Sequence, residues 1–133
     1  MTQEDKMLLI KDLSSRLPYV VYVQHTSGVS GILHNISIHH KYDKNDNIYD
    51  AICYIDFLED GNNITIEHFK PYLFPLSSMT EKQEKEYNNL NCYELGCFPH
   101  TEEALDYLIK NHFDYRGLIE KGLAIDATGL NIY

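Results

Sequence analysis

The chain has 133 residues, 44% of them hydrophobic and 23% charged, with a net charge of −9. That describes one domain, 1–133, long enough to bury a core without a metal or disulfide and too apolar for global disorder. The acidic balance disfavours nucleic-acid backbone and anionic membrane as partners and favours a basic protein.

Thr2 followed by Asp5 makes an approximate capping box, and Met7, Leu8, Leu9, Ile10, Leu13 and Leu17 give an apolar stripe at helical spacing. Pro18 should end this helix near Arg16, so it is expected over 3–16. The same opening is charged, is capped like a helix, and lacks the basic start and small-residue cleavage site of a secretory leader. With free thiols at Cys53, Cys92 and Cys97, an odd number, the expected home is the reducing cytoplasm. No apolar run is long enough to span a membrane.

Residues 19–23, YVVYV, are dense in strand formers. Gly28 and Gly31 bracket a turn. A second strand should place Ile32, His34, Ile36 and Ile38 on one face and Asn35 and Ser37 on the other. After a polar loop from Lys41 to Asn47, a third strand over 48–58 alternates Tyr49, Ala51, Cys53, Ile55 and Phe57, as a core face, with Asp50, Tyr54 and Asp56. Asp60-Gly61 is a turn signal. A fourth strand over 63–69 should turn Ile64 and Ile66 inward. Pro71 and Pro75 argue against a central strand in KPYLFPLSS, which reads as an apolar strap over the sheet.

Thr80 and Gln83 form a capping box for a polar helix over 81–90. Residues 91–99 read as irregular. Thr101 caps a last helix, with acids at its start, Lys110 and His112 at its end, and a stripe of Ala104, Leu105, Leu108 and Ile109. Leu118, Ile119, Leu123 and Ile125 suggest a short helix and a packed end, with fraying of the final residues. Strands followed by helices make the class α+β. The expected architecture is a four-stranded antiparallel sheet, curled in SH3-like fashion, with one N-terminal and two C-terminal helices.

The chemistry-bearing residues form no known signature. Seven histidines occur without HExxH, CxxC or HxH spacing. Cys92, Cys97 and His100 lack a fourth ligand in sequence and the tight pairing of structural zinc. His39 and His40 are adjacent on a strand and point to opposite faces. Asp43-Asn45-Asn47 lacks the glycine and closing glutamate of a calcium loop. Asp50 and Asp56 stand roughly 20 Å apart on one strand, too far for a glycosidase pair. GxSxG, Walker and dinucleotide glycine motifs are missing. The sequence thus assigns no catalytic residue, metal or cofactor.

Two features point to contact surfaces. Between residues 43 and 67 seven acids face the single Lys44. There are 11 tyrosines and no tryptophan, and tyrosine suits contact faces. The candidate interaction surface is Asp50, Tyr54, Asp56, Glu59, Asp60, Tyr115 and Arg116; the last two are hot-spot residue types. Asp114 could pair with Arg116 or Lys121.

Three strings, TQEDKMLLIKDLSSRLPY, KPYLFPLSSMTEKQEKEY and NHFDYRGLIEKGLAIDA, resemble blocks of a family of short proteins from gut Bacteroides-type bacteria and their phages or prophages. The resemblance implies a mobile-element setting and a bacterial cytoplasm, and carries over no catalytic residue. The expected function is a non-catalytic protein-interaction module working through an acidic, Tyr-rich face. The alternatives are a small enzyme or metal-dependent factor and, against the charge, a nucleic-acid-binding regulator.

Overall fold

The computed structural model describes residues 1–42, 47–55, 65–90 and 102–133; for 39–42 and 47–55 it is the backbone that is described. Helix α1 spans Gln3–Arg16 as expected, and the Thr2 hydroxyl accepts the Asp5 N–H at 3.1 Å. Leu17 keeps right-handed helical angles in spite of Pro18. The helix stops because Pro18 has no N–H to continue the ladder. Leu9, Ile10 and Leu13 are buried, whereas Met7 and Leu8 are only half-buried.

Strand β1 is Tyr22–His25, three residues later than expected at its start. Val21 and Val23 are buried while Val20 is exposed, the alternation of a half-buried strand. Gly28 takes φ +91 in the following turn, where a side chain would be strained. Strand β2, Ser30–Tyr42, runs antiparallel to β1 and then to β3, Asn47–Ile55. The register shifts between Leu33 and Asn35. This bulge changes the inward phase, so Leu33 and Ile36 pack on the core and His34 is exposed. The expected single face of Ile32, His34, Ile36 and Ile38 is corrected on that account.

The fourth strand also lies elsewhere. Ile66–His68 form one turn of 3-10 helix, with the Thr65 hydroxyl on the Glu67 carboxylate at 3.1 Å. Ile66 is buried as expected. Strand β4 is Phe69–Pro75, the segment expected as a strap, and it is central, in the order β3-β2-β1-β4-β5. Its prolines are tolerated for a geometric reason. The Thr26 N–H donates to His68 O, so hydrogen-bonded pairs fall at alternate positions and the Val23–Pro71 pair exchanges none. Pro71 turns its missing donor to the other edge, one residue before that edge gains a partner at Tyr72.

Helix α2, Glu81–Leu90, buries no residue. Its capping box is reciprocal: Gln83 N–H donates to Thr80 Oγ1 at 3.1 Å and Thr80 N–H to Gln83 Oε1 at 3.0 Å. Helix α3, Glu102–Lys110, buries Ala104, Leu108 and Ile109. Two short strands, β5 (Phe113–Asp114) and β6 (Ile125–Asp126), pair parallel to β4, and between them the expected short helix is replaced by turns that pass through Gly117 and Gly122, both at positive φ. The class is α+β. Four main strands are antiparallel and curled, with β3 returning toward the 3-10 turn before β4, but the whole sheet is mixed. The core joins Leu9 and Leu13 of α1 to Val21, Val23, Ile66, Phe69, Leu73 and Leu118.

Tyr133 is held in place instead of frayed. Its hydroxyl accepts the Tyr22 N–H at 3.0 Å and donates to Tyr72 O at 2.9 Å. Tyr22–Tyr72 is the next hydrogen-bonded position of the β1–β4 ladder, so the phenol bridges the strands where they part.

Candidate functional site

The densest polar chemistry among the described residues sits where α1 ends against β5. Asp12 and Arg16 are one helical turn apart and fully buried, beside Leu9 and Leu13 on the same face. Arg16 Nε and Nη2 donate to the two Asp12 oxygens at 2.8 and 3.2 Å, and Nη2 also donates to Phe113 O at 2.7 Å. Arg116 brings a second guanidinium, its Nε 3.3 Å from Asp12 Oδ1. One carboxylate therefore serves two cations. Burial of this kind needs close pairing, because an uncompensated charge costs several kcal/mol.

Tyr115 lies between the two arginines. Arg16 Cζ is 5.5 Å and Arg116 Cζ 4.8 Å from its ring centre, both within cation–π range. Arg116 Nη2 also donates to the Tyr115 hydroxyl at 2.8 Å. Asp114 pairs with neither Arg116 nor Lys121. Its oxygens instead accept the N–H groups of Leu118 and Ile119, each at 2.9 Å, and so cap the turn that follows Gly117, whose φ is +73. Arg16 Nη1 and Arg116 Nε are buried without a hydrogen-bond partner.

His112 extends this cluster. It has a positive φ of 64, stacks on Tyr133 at 3.5 Å, and has a buried Nδ1 with no hydrogen-bond partner. Burial, reinforced by the Arg16 charge, lowers its pKa to about 4. Burial raises the Tyr133 pKa to about 12.

Two surface features are distinct from this network. Between α2, α3 and the segment after β4 lies a cleft of about 480 Å³, with Tyr115 in its wall. At the β1–β4 corner the His25 and His68 rings are 5.9 Å apart, with Ser27 Oγ on His25 Nδ1 at 2.8 Å. Burial and then the neighbouring His68 lower the His25 pKa. Among the described residues no group of three or more His, Cys, Asp or Glu is arranged to hold a metal. Nor is any helix among them long and apolar enough to cross a membrane.

Of the candidate surface residues, Tyr115 and Arg116 are brought together in the network, both partly buried. Asp50 and Tyr54 are placed on β3 by their backbone, opposite His39 and Asn35. Asp56, Glu59 and Asp60 lie outside the described residues, as do Phe57, Gly61, Ile64, Cys92, Cys97, His100 and Thr101. Sequence reasoning missed Asp12 and Arg16, although their spacing of four was visible. It read His112 as a charge in the last turn of α3, whereas the helix ends at Lys110 and His112 follows it with a positive φ; Tyr133 it missed, since no local pattern connects the two. No protein-family model matches the chain, and no curated protein or solved structure shows significant similarity to it.

Proposed function

We propose that this chain is a non-catalytic protein-interaction module that binds an extended, basic segment of another protein along strand β3. The observation behind this reading is the position of β3. It stands at the end of the strand order, paired over nine positions with β2; among the described residues no strand lies on its other side, where part of it meets α1 and the 3-10 turn and the rest is open to a partner. An edge strand offers backbone donors and acceptors to an added strand. Asp50 lies on this strand, and Asp56, Glu59 and Asp60 follow it in sequence. Main-chain pairing would supply affinity, and the acids would select Lys- and Arg-rich segments and speed their encounter. A mobile-element setting would make a host or phage protein the source of that segment.

The test is fluorescence anisotropy with a labelled Lys/Arg-rich extended peptide. Binding should weaken as salt rises and fall about tenfold when Asp56, Glu59 and Asp60 are changed to their amides. Equal binding of a neutral peptide, or indifference to the three amides, would overturn the reading.

A further inference from the structure

We propose that the cleft between α2 and α3 is a binding site for an arginine side chain, a second contact for the basic partner. The inference rests on the interaction reading but uses a different surface. The cleft measures about 480 Å³, which exceeds one side chain and admits a short segment around it. Its apolar wall is Leu76, Met79 and Leu108. Leu76 is 44% exposed, and a ligand's methylene stem would cover its apolar surface.

The polar side of the cleft accepts cations. Tyr87 offers aromatic surface, and Glu84 a carboxylate, at the rim. Glu84 makes no side-chain hydrogen bond or ion pair among the described residues, so it is available to a guanidinium. Asn88 adds an amide oxygen. Tyr87 and Asn88 also belong to the last turn of α2, which holds no basic residue to offset the negative end of the helix dipole. The two guanidiniums on the Tyr115 ring, Arg16 and Arg116, share the Asp12 carboxylate. A planar guanidinium suits this combination of stem groove, aromatic edge and carboxylate better than a compact ammonium does.

The probe is N-acetyl-arginine amide, titrated into the intact protein and followed by methyl NMR. The Leu76, Met79 and Leu108 methyls should shift saturably. The citrulline analogue, equal in shape but uncharged, should bind at least about tenfold more weakly, as should arginine amide to Glu84→Gln. Glu84 is exposed, so that variant should retain the wild-type spectrum elsewhere. Tyr87→Leu should weaken binding as well. Equal shifts with citrulline, saturation at other methyls, or no saturable shift would overturn the proposal.

The two ideas separate cleanly. The amide variants at Asp56, Glu59 and Asp60 should leave the arginine titration unchanged. A peptide that binds β3 while arginine amide does not bind the cleft would sink this inference and keep the parent reading. The reverse result would keep the cleft and discard the β3 edge.

Discussion

Helices α1 and α2 begin alike and end up in opposite environments. Each starts at a threonine whose hydroxyl accepts the N–H three residues on. Helix α1 then buries Leu9, Ile10, Leu13 and an ion pair, whereas α2 buries nothing. Capping is a local bargain between neighbours in sequence and says where a helix starts. It does not say how much of the fold depends on the helix. That depends on what lies opposite: for α1, the strands and the turn around Phe113; for α2, the open cleft and solvent.

The largest effect should come from the charge shared at the end of α1. Asp12→Ala would leave Arg16 and Arg116 buried without their carboxylate and should cost about 3–5 kcal/mol by urea unfolding. A loss below 1 kcal/mol would mean that water reaches the cluster, and the contrast with α2 would shrink.

Next is Tyr133→Phe. It keeps the ring stacked on His112 but removes the oxygen between Tyr22 and Tyr72, leaving a backbone N–H and C=O without that partner. About 1–3 kcal/mol should be lost, with amide exchange at Tyr22 rising first. On α2, Thr80→Ala should cost only about 1 kcal/mol, read as helix fraying with the core unchanged.

A pH series sharpens the comparison from the α1 side. The folded pKa of His112, about 4, lies below its ordinary 6.5. Between those values the unfolded chain binds the extra proton. The stabilisation from keeping His112 neutral is therefore complete above about pH 6.5, falls as the pH drops, and is gone below about pH 4. His112→Asn, which tolerates a positive φ and cannot titrate, should flatten this component of the stability profile. A slope identical to wild type would remove His112 as its source.

What was legible in the sequence follows the same division. The bounds of α1 and α2 and the Thr80–Gln83 box were readable because capping and proline effects act within a turn. The bulge after Leu33 was not, since alternation cannot reveal where one residue is looped out. Strand β4 was misread because a proline forbids a strand only where its N–H is needed, and that depends on which neighbour faces which edge. Asp12 and Arg16 were visible as a pair, but burial of the pair requires Phe113, nearly a hundred positions away. Tyr115 and Arg116 stood out by residue type alone, which did not distinguish a contact surface from a buried charge network.

The phenol bridge also bears on how the chain folds. The β1–β4 ladder can form from residues fewer than fifty positions apart, but it is completed at Tyr22 by a hydroxyl 111 residues downstream. Such a closure carries a large loop entropy and should come late, after the local hairpin and helices have formed. During synthesis the early strands would wait with their ends apart until Tyr133 had emerged. The open Tyr22–Tyr72 position would then be the last feature to gain protection in pulse-labelled exchange, and a natural point of attack for a protease acting on the unfinished chain.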